Sequence, residues 1–583
     1  MSITTGTFPG VRIVDMPDLG AVNDGSSFVG ERAGSGRFNA LALRDYVAAS
    51  LGFIDVRVYG AKGDSATDDT AAIQAAVNAV PARGAIVFLP GGCYKISAAI
   101  TAPLNGKVWF RGEGLGTSIL RQTNATADGI VFTRDNYLTT GGGVSDMTIE
   151  AGAGLECGGF FGSGSSGTGL RVTRANDNFV TNNLGINNFG TGLALVGCWN
   201  TCHANLRIMF TAGDAIFIGR SGAIVAGGNS ISTAKISNSG YAGTNTGSVG
   251  VRITASGGEY LSDVDVTSTN VGIALVAETG YQVLYLFFND VLADTCLSHG
   301  WFIDGAAANV WSIYCTTCWS SFNGGHGVCV QGTHVKDVQW TAGRLRENAL
   351  AGLFMATGGV TVTGGAIVHN SRGNDNVNPG VRVEPNVSDW ALIGVRIGND
   401  GQATAVQAEA IEIAVGTSDR YRIVGCDLSL PGPGKVPLLE GATQQQTMLS
   451  SNLPIGVNAL NTYSAEMLAS CSIGIAAATT TFLGPTGAQA TEGYASWVIP
   501  RAAAASLLTV KATVPPGAGQ SFTFMLRKNY TDTAMTGTIT GTSFFLEISS
   551  IAVGLAAGDI ISLRLVTSAT AAVSAFQYAI RVE

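Results

Sequence analysis

A glycine, or a substitute for it, followed by alternating apolar residues recurs down the middle of this chain. It is seen as GLRV at 169, GLAL at 192, GDAIFI at 213, GVRI at 250, GIAL at 272, GWFI at 300, GVCV at 327, GLFM at 352, GVRV at 380 and EAIEI at 409. The spacing is mostly about 21–30 residues, with one longer gap before 250. Between these sites lies a second strand type, as in YLSDVDVTSTN, HVKDVQWTAGRLREN and YRIVGCDLSL, with aspartate and asparagine at its ends. A period of roughly 20–30 residues that holds two or three strands and no helix predicts an all-β parallel β-helix. Each turn of the chain is one rung, and every second side chain fills the interior. Stacked antiparallel sandwiches would not place a glycine before the same strand in rung after rung.

Composition agrees with this reading. Charged residues make up 13% of the 583 positions, and there are 79 glycines; the usual shares are roughly 25% and about 7%. Solvated helical faces are therefore scarce and turns abundant. No apolar run approaches the roughly 18 residues of a membrane helix, so membrane insertion is not expected. The N-terminus lacks the basic and apolar regions of a signal peptide. The formal charge of −8 and only 33 lysines and arginines argue against nucleic acid as a partner. The ten cysteines are scattered and read as reduced thiols, mostly buried as small hydrophobes.

One stretch departs from the pattern. VYGAKGDSATDDTAAIQAAVNAV, from Val58 to Val80, has its lysine between the glycines and three aspartates close by, which a phosphate loop would not tolerate. Asp68, Asp69 and Thr70 instead read as a helix start that accepts hydrogen bonds from free N–H groups. Ile73, Ala76, Val77 and Val80 then form an apolar stripe. An open β-helix ends in exposed side chains and unpaired strand edges, so the helix is expected to be its N-terminal lid.

VYGAKGD, TDDTAAIQAAVNA and GAIVFLPGGCYKIS resemble the opening of the pectate-lyase-like superfamily, above all the β-helical tailspike and depolymerase proteins of bacteriophages. MPDLGAVNDGSSFVGERAGSGRFNALALRDYVAAS is similar to the leader that tethers such proteins to a phage particle. The resemblance implies four parts. An adaptor arm occupies 1–52, with a short helix around Leu41–Ala48, and binds a phage tail or baseplate protein. A right-handed parallel β-helix follows over 53–440, then a linker over 441–461 and a C-terminal antiparallel, jelly-roll-like β-sandwich over 462–583. It further implies a homotrimer carried on a virion tail, made without a signal peptide and acting on bacterial surface polysaccharide outside the cell.

If the glycine landmarks set the register, Val264 and Val266 point inward, and Asp263 and Asp265 share an outward face. One rung on, Asp290 and Asp294 fall in nearly the same columns; Arg344, Arg346 and Glu347 follow two rungs later, with Trp319 between. Side chains on neighbouring rungs stand about 4.8 Å apart, a spacing suited to the paired carboxylates of glycosidases. The acids Asp263, Asp265, Asp290, Asp294 and Glu347 are the catalytic candidates. Arg344 and Arg346 would bind acidic sugars and Trp319 would stack on a ring. The same residue types are also favoured at turns for local hydrogen bonding.

A lyase would need a base beside a charge-neutralising group; His326, His334 and Lys336 are close in sequence, but nothing places them together. The calcium-binding acid cluster of pectate lyases and the paired aspartates of polygalacturonases are not recognisable. CTTC at 315–318 with His326 and Cys329, and LVGCWNTCH at 196–203, read as buried or turn thiols, because strand residues three apart face opposite sides. No metal or cofactor is expected. Hydrolysis of a surface polysaccharide is the leading expectation; a non-enzymatic attachment spike and a polysaccharide lyase are the alternatives.

Overall fold

Alternation of buried and exposed side chains decides the architecture. Along Tyr260–Thr267, Leu261, Val264 and Val266 are buried while Tyr260 and Asp263 are exposed. The next rung repeats this with Phe288, Val291 and Ala293 inside. A computed structural model describes residues 27–29, 37–39, 52–135, 141–152, 165–238, 247–400, 406–442, 448–453, 465–484, 487–499 and 503–582. The helix expected around 41–48, most of the adaptor arm and most of the 441–461 linker lie outside them. Contacts divide the chain into two units, Met1–Glu384 with Val395–Glu412 and Leu430–Leu439, and Pro385–Gly394 with Ile413–Ser429 and Glu440–Glu583.

The first unit is a parallel β-solenoid. One sheet stacks Ile130–Thr133, Thr168–Thr173, Thr191–Val196, Asp214–Gly219, Val249–Ile253, Val271–Val276, Trp301–Asp304, Val328–Gln331, Leu353–Met355 and Val381–Val383 in that order. These are the glycine-led strands of the sequence. Ile273 lies opposite Trp301, and Trp301 opposite Val328. The glycines stand where the facing wall comes too close for a side chain. A Cβ at Gly250 would lie 2.3 Å from a Val266 methyl, and one at Gly327 would lie 2.6 Å from Asn348 Nδ2. In the Asp214–Gly219 strand, Ala215 holds this column rather than Gly213, because Ile216 is the partner of Leu193.

The second wall is formed by the aspartate- and asparagine-bounded strands, paired in parallel from rung to rung. It is broken by corners in which one residue takes the left-handed conformation. One such column is Asn183, Asn205, Thr233, Asp263, Asp290 and Thr317, all near φ +52° or +53°. A second is Ser268, Thr295, Phe322, Glu347 and His369, with φ from +52° to +57°. Asparagine and aspartate tolerate this region better than other residues with a Cβ, which explains their place at the strand ends.

Immediately behind the second corner runs a buried amide ladder. Asn323 Nδ2 donates to Asn348 Oδ1 at 2.7 Å, Asn348 Nδ2 to Asn370 Oδ1 at 2.9 Å, and Asn370 Nδ2 to Gln407 Oε1 at 3.1 Å. Each acceptor also takes the backbone N–H of the preceding residue in the ladder.

The expected cap is a helix over Thr70–Asn78, with Ile73, Ala76 and Val77 fully buried and Val80 half-buried. Asp68 accepts from the Thr70 N–H at 3.0 Å. Asp69 does not cap the helix; its carboxylate is taken by the backbone N–H groups of Lys62 and Gly63 in the preceding turn, at 2.7 and 3.0 Å. Gln74 closes the sheet edge, since its amide donates to Thr101 O and accepts from Thr101 N, both at 2.9 Å. Ile100–Thr101 begins the glycine-led sheet, so a side chain stands in for the missing neighbouring strand.

The second unit contains a short parallel ladder of Trp390–Ile393, Tyr421–Val424 and Met448–Ser450. It also holds the expected antiparallel sandwich, a 5-stranded and a 6-stranded sheet. Phe522, Phe524, Leu563, Leu565, Phe576 and Ile580 are among its buried core. Cys93 is disulfide-bonded, which corrects the expectation that the thiols are all reduced. Cys198, Cys296, Cys315, Cys318, Cys329 and Cys426 are free and buried, as small hydrophobes, and Cys202 is free and exposed.

Asn348→Ala removes the oxygen that accepts the buried Asn323 backbone N–H and one of its amide hydrogens, although Ser320 Oγ stays bonded to that amide; leaving the buried N–H unsatisfied costs about 1–3 kcal/mol. The expected outcome is a lowered denaturant midpoint with an unchanged slope; an unaltered midpoint would show that the ladder does not stabilise the corner.

Candidate functional site

The strand pairing places each candidate side chain. Asp265 lies opposite Lys235 on one side and Leu292 on the other; beyond Leu292 the same outward row continues with Trp319, Arg344 and Ala366. Trp319 and Arg344 therefore do stand in line with Asp265. Asp294 belongs to the next row, opposite Thr267 and Ser321, and that row continues with Arg346. This corrects the expected register, in which Asp294 shared the column of Asp265. The corner at Asp263 and Asp290 and the two-residue step from Leu292 to Asp294 put Asp294 diagonally across from Asp265.

The other acids occupy corners. Asp263 and Asp290 are left-handed and exposed. Asp290 is held by the Thr317 hydroxyl and accepts from Asn289 Nδ2 at 3.0 Å. Glu347 is a left-handed corner residue in the next column and is 7% exposed. Its Oε1 accepts from Arg346 Nε at 2.7 Å, so this acid and this arginine neutralise each other. The turn chemistry that competes with catalysis accounts for these residues.

What remains together is a compact polar patch. Asp265 Oδ2 is 3.4 Å from Lys235 Nζ. Asp265 Oδ1, Asp294 Oδ1 and Arg344 Nε are buried without a hydrogen-bond partner, as are atoms elsewhere in the fold such as Asn187 Oδ1 and Trp301 Nε1. The Arg344 guanidinium carbon is 5.5 Å from the centre of the Trp319 ring, and Trp319 is 41% exposed. Burial raises the Asp294 pKa, and the Asp265 charge adds to the effect; Ser321, the Thr295 N–H and the Arg372 charge oppose it. One carboxyl is thus shifted toward its protonated form beside another, the direction expected of an acid next to a partner base. From rung spacing and strand rise, the backbone positions of Asp265 and Asp294 are about 8 Å apart on the diagonal; inverting glycosidases hold their carboxyl groups roughly 6.5–9.5 Å apart.

Two groups at this patch were not read from the sequence. His369 Nε2 accepts from the Asp400 N–H at 2.9 Å and touches the Asp400 carboxylate; Asp400 Oδ2 is also 3.9 Å from Arg344 Nη2. Asp400 lies beyond the strand Arg396–Gly398 that follows Arg344 and Ala366 in the stack, so no local spacing signals it. Arg372, 5.4 Å over the Phe322 ring, bonds the carbonyls of Glu347 and Phe322 and braces the corner.

The lyase candidates stay apart. His326 stacks between His299 and Phe354, and burial lowers its pKa to about 4. The His334 ring bonds Gly305 O, and Lys336 lies 5.1 Å over the Trp311 ring. Around CTTC, the Cys318 thiol donates to the carbonyls of Phe288 and Thr316, and burial pushes the Cys329 thiol up to about 12. In LVGCWNTCH, Cys198 is buried, Cys202 is exposed, and His203 is enclosed by Thr181 and Thr201, its pKa lowered to about 3 by burial. Among the described residues, no group of three histidines, cysteines or acids is gathered as for a metal ion.

Asp294 prefers its protonated form in the fold, so it withdraws stability as pH rises from about 4, the unfolded carboxyl value, through its own raised pKa. Asn at this position does not titrate. Asp294→Asn is expected to raise the thermal midpoint at pH 7, with the difference closing below about pH 4; a lower midpoint at pH 7 would contradict the assignment.

A family model described as rhamnogalacturonase A/epimerase, pectate lyase-like, matches residues 53–153, the cap and first rungs, and ends before Asp265. Alginate lyase 7 of Azotobacter vinelandii is 35% identical over 105 residues, 16% of this chain and 12% of that protein. Mannuronan C5-epimerase AlgE3 of the same organism is 36% identical over 107 residues, 16% of this chain and 6% of that protein. The chain thus spans only a small part of the length of these curated relatives. Among solved structures, tailspike protein 3 of bacteriophage CBA120 is similar with a TM-score of 0.46 and 11% identity, covering 72% of this chain and 63% of that one.

Proposed function

We propose that this chain processes a polysaccharide at the Asp265–Asp294 patch, by hydrolysis, as a tailspike depolymerase of a phage particle. The observation that carries the reading is the pair itself: two outward carboxyls on adjoining rungs, each with a buried oxygen lacking a partner, one raised in pKa by burial. The named activities of the sequence relatives, alginate lyase and mannuronan epimerase, support a polysaccharide as substrate. The resemblance of the VYGAKGD opening to phage depolymerases supports the virion setting, a homotrimer and attachment through the arm.

In this reading Asp294 gives its proton to the glycosidic oxygen as the bond to the anomeric carbon breaks. Asp265 takes a proton from the water that attacks the opposite face of the ring. Lys235 Nζ stands 3.4 Å from Asp265 Oδ2. Trp319 offers an apolar surface to the C–H face of a neighbouring sugar, and the part-exposed Arg344 guanidinium, beside Trp319 and Asp400, orients a carboxylate or hydroxyl. Two carboxylates without an assembled histidine or lysine base favour hydrolysis over elimination.

The test is incubation with capsular polysaccharide, exopolysaccharide or O-antigen of the host bacterium. New reducing ends without an ultraviolet-absorbing unsaturated product are expected. Asp294→Asn and Asp265→Asn are each expected to lower kcat by about 10²–10⁴, Arg344→Ala to raise KM, and Asp263→Ala, Asp290→Ala and Glu347→Ala to leave kcat within a few-fold. An absorbing product would make the protein a lyase. Binding without any product would make it an attachment spike.

A further inference from the structure

On another row of the solenoid lies a recess that the reaction centre does not use. Asn176, Trp199 and Gly227 are paired in register, and the row continues through Gly257 and Leu284. Leu284 begins the strand that ends at Asp294, but the left-handed corners at Tyr285 and Asp290 intervene, so the two rows face different ways. A pocket of about 490 Å³ is lined by Asn176, Trp199, Asn200, Ala223, Ile224 and Val225.

We propose that this recess is a second glycan-binding site, which takes an uncharged pyranose unit of a polysaccharide. Trp199 is 38% exposed, and its indole N–H donates to Val225 O at 2.7 Å. The ring is thereby fixed, and its only polar group is already bonded. One edge of the indole lies over Gly227, where a Cβ would stand 3.2 Å away. The exposed part is an apolar surface of the kind that packs on the C–H face of a sugar.

The amides beside it are held by the turn. Asn200 Nδ2 donates to Asp177 Oδ1 at 2.8 Å, and Asn176 Oδ1 accepts from the Asp177 N–H at 3.0 Å. The opposite wall is pinned as well: Ser221 and Ile224 exchange backbone hydrogen bonds of 2.8 and 3.1 Å, and Arg174 Nε donates to Ser221 Oγ at 3.1 Å. Such a wall needs no rearrangement to receive a ligand. None of the six lining residues is ionisable, so an uncharged sugar fits better than the acidic unit suited to Arg344. The volume falls in the roughly 300–1,000 Å³ range of small-ligand sites, whereas a protein partner needs a spread of about 800 Å² per side.

The experiment compares wild-type protein with Trp199→Ala and Ala223→Trp on an array of bacterial surface polysaccharides, with Asp294→Asn as a further background. Ala223 is exposed on the loop, so the larger side chain fills the recess without entering the core. Both pocket variants are expected to lose about tenfold or more of the signal from uncharged glycans, in the Asp294→Asn background too, with the thermal midpoint of Ala223→Trp unchanged. Three results would overturn the proposal: no uncharged glycan bound by the wild type, the same profile in Ala223→Trp as in wild type, or a change in oligomeric state with glycan binding intact. Because the readout is binding by protein inactivated at Asp294, failure of the hydrolytic reading leaves this test standing.

Discussion

A coil of parallel strands must turn corners without leaving its peptide groups unpaired, and in this chain buried amides bond both their counterparts one rung away and nearby carbonyls. Asn348, Asn370 and Gln407 each accept from the amide and the backbone N–H of the ladder residue before them. A buried amide that slipped by one position would meet a carbonyl or a methyl instead, at the cost of an unpaired polar group. The ladder thus fixes register, and register fixes which side chains share an outward row. The Asp265–Asp294 patch lies on rows set in this way, although none of these amides reaches the surface.

Much of the fold was readable because its causes are local and repeated. The glycine column was visible since most of its positions leave no room for a Cβ, Ala215 being an exception, and the cap was visible since its apolar spacing differs from that of strands. The sandwich was visible through plain alternation. The site was harder. Alternation counted from Val264 correctly put Asp265 outward and in line with Trp319 and Arg344. The rung spacing, however, brings Leu292 rather than Asp294 opposite Asp265, so Asp294 falls in the next outward row, and the corner acids Asp263, Asp290 and Glu347 are indistinguishable from surface acids in the sequence. Asp400 and His369 come together only through rung stacking across 31 positions, a distance over which nothing in one chain announces a pair.

Asp265 Oδ1, Asp294 Oδ1 and Arg344 Nε lie unmatched within two adjoining rows. Buried polar atoms without a partner also occur elsewhere along the solenoid, at Asn187, Asn376 and Gln407 among others. What sets the patch apart is therefore two carboxyls on neighbouring rungs with a guanidinium in line with one of them, not the unmet hydrogen bonds themselves.

Gln74 has a wider meaning for how such a molecule coexists with its copies. A stack of in-register parallel strands is, in its hydrogen bonding, a short length of fibril contained within one polypeptide. Its first strand would template another chain, as a growing fibril end does. The glutamine amide imitates a peptide unit in both donor and acceptor, but carries no further backbone to pass the pattern on. Elongation stops there by chain termination, as a dideoxynucleotide stops a polymerase.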